Sequence, residues 1–230
     1  MKRSKTNCDL QHCSLCKGCL KEWLPALDAN RITYSFKKGE PLFHEDDLVT
    51  GIYFVYEGKV KVHKRWGDEK ELIVRFAGPG DIVGHRGLGK ETFYPVSATA
   101  LENVSACFIN LDFFLATLKV NHDYAFSLLM FYAQELQVSE QNMRNMAHMP
   151  VKGRVAYALL KLEEKFGLDD QGLLNISLTR QDLASYAGTT YETAFRILTE
   201  LTQEKLIEFS GKDVQIKDAK ALGLLLLSPI

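Results

Sequence analysis

Between about Ile32 and Leu111 the apolar residues come in short runs divided by glycine. Ile52-Tyr-Phe-Val-Tyr56 stops at Glu57-Gly58, Val60-Lys-Val-His63 alternates apolar with polar, and Leu72-Ile-Val-Arg-Phe76 follows the turn signal Gly67-Asp68. Gly78-Pro-Gly-Asp81 marks another turn, before Ile82-Val83-Gly84. Short strands at this spacing predict a small antiparallel barrel or jelly roll. From about Leu111 to Met149 the period becomes helical. Leu128, Tyr132, Leu136, Ser139, Met143 and Met146 recur at steps of four and three. That seam suits pairing with a second identical helix; the alternative is an amphipathic helix packed on its own barrel. Pro150 ends the helix, because proline cannot continue the hydrogen-bond ladder.

The remaining text predicts a second domain. Val151 to Phe166 reads as an amphipathic helix with Val155, Leu159, Leu160 and Leu162 apolar, and Gly167 to Gly172 as a loop. Thr179-Arg-Gln-Asp182 has the capping-box pattern of a hydroxyl followed three residues on by a carboxylate. The short helix it opens contains Leu183, Ala184 and Ala187 and closes at Gly188, where positive φ is wanted. Thr189-Thr-Tyr-Glu192 reads as a second capping box, opening a helix with Ala194, Ile197, Leu198 and Leu201 apolar. Two capped helices joined by a glycine turn form a helix-turn-helix, and the hairpin at 206–216 around Ser210-Gly-Lys-Asp213 would be its wing. The second helix would enter the major groove with its first turns at the base edges. Glu192 and Arg196 project from one face of it; arginine can bind guanine O6 and N7, and glutamate can accept from cytosine N4. The bland alternative is an intrahelical Glu192–Arg196 salt bridge. Thr190, Tyr191 and Phe195 lie on the same opening turns, and Thr190, Arg180 and Lys212 are candidate phosphate contacts. The whole is an α+β chain: an arm (1–22), a β-domain (23–110), a helical region (111–149) and a winged helix-turn-helix (150–230).

Composition narrows the function. The 230 residues are 46% hydrophobic and 25% charged, ordinary for two modest globular domains. The net charge of −1 is not that of a strongly basic protein, so the DNA reading rests on the motif alone. No apolar run reaches the ~20 residues of a membrane span. Ala221 to Leu227 is too short and reads as a packing segment, and Met-Lys-Arg is followed by no signal-peptide core. The expected compartment is the cytoplasm. No nucleophile elbow, P-loop, dinucleotide fingerprint or paired-histidine metal motif is present, so an enzyme is not expected.

Four of the five cysteines, Cys8, Cys13, Cys16 and Cys19, fall within twelve residues; Cys107 is distant. In a reducing compartment such a cluster suggests a metal or redox role before disulfides. Cys13-x2-Cys16-x2-Cys19 matches the first three cysteines of a ferredoxin-type run, but Trp23 stands at the fourth position. A fourth ligand must then come from Cys107 or Cys8. The same cysteines with His12 could hold zinc tetrahedrally, and Cys107 could be an inert core residue. His63, His85, His122 and His148 are weak candidates for haem. An iron–sulfur electron carrier would leave the helix-turn-helix without a role.

The run from Thr179 to Leu198, with Glu192-Thr193-x-x-Arg196 inside it, resembles the helix-turn-helix of the CRP/FNR family of bacterial regulators. Gly39-Glu40, Gly51 to Lys59 and Gly80-Asp-Ile-Val-Gly84 resemble that family's cyclic-nucleotide-type β-roll. The resemblance spans residues 32–217 and implies a β-roll sensor, a dimerisation helix and a winged helix-turn-helix. It also implies a homodimer on a palindromic site, with RNA polymerase as a partner and with Glu192 and Arg196 reading a GA step. Phe195 stands where the FNR branch has serine, and could touch a thymine methyl. The cAMP-binding members have a glutamate where this chain has His85, and an Arg-Ser pair near Phe93-Tyr-Pro-Val-Ser97, which lacks arginine. A cyclic phosphate would lack its charge partner there, so cAMP is disfavoured, Arg86 being the one nearby cation. The FNR branch instead carries a [4Fe–4S] cluster on three N-terminal cysteines and one at the end of the β-roll. Val104-Ser-Ala-Cys-Phe-Ile109 resembles that last region. The implied ligands are Cys13, Cys16, Cys19 and Cys107, with Cys8 as an alternative because the arm's spacing departs from the branch. The implied signal is oxygen, nitric oxide or redox state.

Overall fold

The computed structural model describes Lys2–Arg3, Leu10, and residues 13–67 and 70–227. Cys8 and His12 lie outside the described residues. The chain forms two compact units, with the main division between Glu135 and Leu136.

The first unit is strand-built. Strands β1 (Lys2–Arg3), β2 (Arg31–Phe36), β4 (Gly51–Glu57), β7 (Ile82–Val83) and β9 (Val104–Asn110) form a sheet in the order β1-β2-β9-β4-β7. Strands β3 (Pro41–Phe43), β5 (Val60–Trp66), β6 (Lys70–Ala77) and β8 (Ser97–Ala100) form a second sheet in the order β3-β8-β5-β6. The glycine-divided runs are β4, β5, β6 and β7. Strand β9 pairs antiparallel with both β2 and β4, so Cys107 stands between Thr33 and Phe54. A strand alternates its faces. Val104, Ala106 and Phe108 enter one core with Tyr53 and Val55, whereas Cys107 and Ile109 enter another with Ile52 and Phe54. Both faces being covered explains why this strand reads as a continuous apolar run.

That second core is closed by the arm and the helices. Helices α1 (Ser14–Gly18) and α2 (Leu24–Asn30) precede β2, and α3 (Leu111–Val120) and α4 (His122–His148) follow β9. The helical region is not continuous, because the chain breaks at Asn121. This residue is buried, donates its side-chain amide to Thr117 O, and accepts the Leu20 N–H at 2.8 Å. Trp23 stacks on Phe113 and donates Nε1–H to Thr117 Oγ1 at 3.1 Å. The arm is thereby pinned to the α3–α4 corner.

The seam expected on α4 divides between two faces. Leu128 is buried in the β-domain core, and Tyr132 is half-buried with its hydroxyl donating to His85 O. Both pack on their own domain, continuing a stripe that starts at Tyr124 and ends at Glu135. The exposed large apolar residues are Phe126, Leu129, Met130, Leu136, Val138, Met143 and Met146; Ser139 is half-buried. A period near 3.5 describes either stripe, so the sequence alone could not assign faces.

The second unit contains α5 (Val151–Phe166), α6 (Arg180–Ala187), α7 (Tyr191–Gln203), the hairpin β10 (Ile207–Ser210) and β11 (Asp213–Ile216), and α8 (Ala219–Leu224). The apolar tail packs through α8, with Leu222 fully buried. Thr179 caps α6 reciprocally: its Oγ1 accepts the Asp182 N–H, and the Asp182 carboxylate accepts the Thr179 N–H. Gly188 ends α6 at φ 64°, and an added Cβ would lie 3.1 Å from Met146 Cε. The second cap falls one residue later than the sequence suggested. Thr190, not Thr189, is the N-cap of α7 and accepts from Thr193 N–H, which removes Glu192 from any capping role. Thr179→Ala is expected to cost about 1–2 kcal/mol in urea unfolding, since it removes a cap and strands the buried Asp182.

Candidate DNA-reading helix and cysteine pocket

Helix α7 buries Ala194, Ile197, Leu198 and Leu201 against its own unit. Its opposite face therefore presents Tyr191, Glu192, Phe195 and Arg196 to solvent. Tyr191 and Phe195 stack at 6.2 Å. The Arg180 guanidinium lies over Phe195 at 5.6 Å and over Phe209 of the hairpin at 4.8 Å, so one cation links α6, α7 and the wing. Arg196 pairs with Glu200, one turn further along, and not with Glu192. An exposed pair of this kind contributes only a few tenths of a kcal/mol, so base or phosphate contacts can compete for the guanidinium. Thr190 and Lys212 are exposed, at the start of α7 and in the hairpin turn. The fold thus brings all seven sequence-predicted DNA residues into the helix-turn-helix and its hairpin.

The cysteines converge although one is far from the others in sequence. Cys13, Cys16 and Cys107 are buried in one apolar cluster, and Cys19 packs against it half-buried. Cys13 Sγ accepts the Cys16 N–H at 3.4 Å and caps α1. Burial, with Cys13 nearby, pushes the Cys19 thiol up to about 11. Among the described residues no three His, Cys, Asp or Glu side chains converge as ligands of a single metal ion. A cubane makes a different demand, because each of its four thiolates binds a separate iron. Four sulfurs in and against one apolar cluster fit that donor set in kind. The histidines suggested for haem do not gather: His63 is paired with Thr99, His85 is buried elsewhere, and His122 and His148 are exposed.

A second buried group lies where α4 meets the β-domain. Glu135 accepts from Arg86 at 3.0 Å and lies 3.7 Å from Arg75 Nε. Arg75 also donates to Ile82 O at 3.0 Å, lies 3.5 Å from Asp81, and sits over the Phe131 ring. In the Phe93–Ser97 segment Tyr94 stacks on Phe43 at 3.9 Å and donates to Gly51 O. His85 is 3% exposed, its Nε2 lies 3.9 Å from Glu135 Oε2, and neither ring nitrogen makes a hydrogen bond of good geometry, though the Ile82 backbone acts in the opposite direction to burial. Burial first, then the charges of Arg75 and Arg86, push its pKa down to about 3. In the unfolded chain it titrates near 6.5. Below that pH the unfolded chain takes up a proton that the folded chain refuses, so stability falls with pH from about 6.5 to about 3. Between pH 8 and 5 the wild type is expected to lose about 2 kcal/mol more than His85→Gln in urea unfolding. Equal losses would show that His85 is not held neutral.

Sequence reasoning missed Glu135, Arg75 and Tyr124. Extending the Leu128–Tyr132 stripe by one step toward the N-terminus reaches Tyr124, so that residue was within reach. The Arg75–Glu135 pairing was not, since nothing local links β6 to α4.

A strand-built domain followed by a long helix and a winged helix-turn-helix is the build of a regulator that couples a sensor to DNA. Residues 33–121 match the cyclic nucleotide-binding domain family, and residues 153–225 match the Crp-like helix-turn-helix domain. The CRP-like cAMP-activated global transcriptional regulator of Mycobacterium tuberculosis is 26% identical over 216 residues, 93% of this chain and 96% of that one. The transcriptional activator protein anr of Pseudomonas aeruginosa is 29% identical over 216 residues, 90% of this chain and 88% of that one. Among solved structures, FixK2 from Bradyrhizobium japonicum superposes with a TM-score of 0.76 at 26% identity, covering 85% of this chain and 96% of that one. A CooA mutant from Carboxydothermus hydrogenoformans shares the fold, with a TM-score of 0.76 at 18% identity and 98% coverage of both chains. The chain belongs to the CRP/FNR family and is a DNA-binding transcription regulator, not an enzyme. Among the described residues no helix is long and apolar enough to cross a membrane.

Proposed function

We propose that the protein acts as a homodimer on a palindromic operator, with its DNA affinity set by a [4Fe–4S] cluster on Cys13, Cys16, Cys19 and Cys107. The observation that carries this reading is the burial of Cys107 in the same apolar cluster as Cys13 and Cys16. The fold brings a thiol of β9 and the thiols of the arm, far apart in sequence, into one apolar cluster. When bound, the cluster supplies a centre sensitive to oxygen, nitric oxide or redox state. Its ligands tie the arm to β9, and the arm is pinned to the corner from which α4 departs. The exposed apolar face of α4, from Phe126 through Met143, is the surface assigned to the second subunit. Ligation through Cys13, Cys16 and Cys19 would add to the contacts that hold the arm, so losing the cluster would loosen it and weaken that pairing, and a monomer engages one half-site where a dimer engages two.

On the operator, Arg196 and Glu192 read base edges and the Tyr191–Phe195 stack meets thymine methyls. Thr190, Arg180 and Lys212 hold phosphates. The bound dimer works with RNA polymerase in the cytoplasm. No cyclic nucleotide has a role in this reading, because Arg86 already has its carboxylate. The test is the iron and acid-labile sulfide content of protein purified without air, with its spectrum. About four of each per chain, lost in air, is the expected result; absence of iron sinks the sensor assignment and leaves the DNA-reading helix standing.

A further inference from the structure

Tyr124 occupies the first turn of α4 and is 3% exposed. Its ring belongs to the apolar cluster that holds Cys13, Cys16 and Cys107, set edge-on to Phe114 at 6.4 Å. Gly18 of the arm lies against it: a Cβ there would sit 2.7 Å from Tyr124 Cδ2, so only glycine lets the ring and the arm approach this closely. The Tyr124 hydroxyl is buried and has no hydrogen-bond partner; Ser14 is near, but no bond of good geometry forms. The cluster around the ring includes Cys13, Cys16 and Cys107, with Cys19 packed against it. Burial raises the tyrosine's pKa, Ser14 opposes that, and Cys13, Cys19 and Cys16 raise it further. A buried O–H in this position can donate to a neighbouring acceptor.

A buried donor without an acceptor is rare in folded proteins, and each case calls for a group that would satisfy it. Thiol S–H groups are weak acceptors, whereas a metal-bound thiolate or a bridging sulfide carries negative charge and accepts well. We infer that the Tyr124 hydroxyl donates a hydrogen bond to a sulfur of the group held in the cysteine pocket, linking the electronic state of that group to the first turn of α4. This rests on the iron–sulfur reading above. Tyr124 would be a positioning residue, since it donates to a sulfur and is not itself a ligand. Hydrogen bonds to sulfur help set cluster potentials by stabilising the more negative, reduced form. Tyr124 would thus hold the potential up and set how readily the sensor responds.

The test compares anaerobically purified wild type with Tyr124→Phe, which keeps the ring against Gly18 and Phe114 and removes only the hydroxyl. Iron and sulfide content is expected to be unchanged, and the reduction potential is expected to move to a more negative value. In the wild type, the iron–sulfur stretching bands are expected to shift on exchange into D2O, and Tyr124→Phe should lose part of that shift. Because the Cys16 N–H also donates to Cys13 Sγ, only the part of the shift that Tyr124→Phe loses reports the Tyr124 hydroxyl. No D2O shift in the wild type, or the same potential and bands in both proteins, overturns the Tyr124 inference while leaving the cluster in place. A wild type without iron overturns both.

Discussion

Arg196→Ala is expected to abolish recognition of the operator while leaving the fold and the cysteine pocket intact. The side chain is 66% exposed and its one ion pair is with Glu200, so its loss removes little stability. Its expected role is in the groove, where a good bidentate arginine–guanine contact discriminates by about 1–3 kcal/mol. A dimer makes the contact twice. The combined loss is then about 2–6 kcal/mol, roughly 30-fold to 10⁴-fold in affinity. Fluorescence anisotropy at one fixed salt concentration measures it, with a scrambled duplex as reference, because phosphate contacts dominate non-specific binding and depend on salt. The variant should bind the scrambled duplex nearly as wild type does. If it binds the operator normally, α7 is not read through Arg196 and the docking of the helix must be redrawn.

Cys107→Ala is expected to lose the cluster and the signal response together. Cys107 is 4% exposed in a central strand, and replacing it removes one buried sulfur. The cavity costs on the order of 1 kcal/mol, too little to unfold a typical domain. A large fall in iron and sulfide, with secondary structure unchanged, would then report a missing ligand and not a damaged core. DNA binding would no longer differ between anaerobic and air-exposed protein. Cys8→Ala serves as the control and should retain both. A Cys107→Ala protein with full iron content and intact regulation would move the site to the arm alone.

The helix-turn-helix was legible in the sequence because its signals are local. The Thr179–Asp182 box, the glycine at φ 64° and the apolar positions of α7 each act over a few residues, and the structure has them all. The exception, the cap at Thr190 in place of Thr189, is a shift of one residue between two adjacent threonines, either of which could cap. Glycine-divided apolar runs likewise announced β4, β5, β6 and β7 of the β-domain. The sequence also showed that cysteines were clustered, but not what they faced. Cys107 meets the arm because β9 is central to its sheet and turns alternate residues to opposite cores. The faces of α4 were decided in the same way: Tyr124, Leu128, Tyr132 and Glu135 went to the β-domain, and Phe126, Leu129 and Met130 were left exposed. Caps and turns are satisfied by neighbours in the chain, so the sequence by itself determined the helix-turn-helix and much of the element order. Which side of a strand or helix is buried depends on partners far away in the chain, and that only the tertiary structure decided.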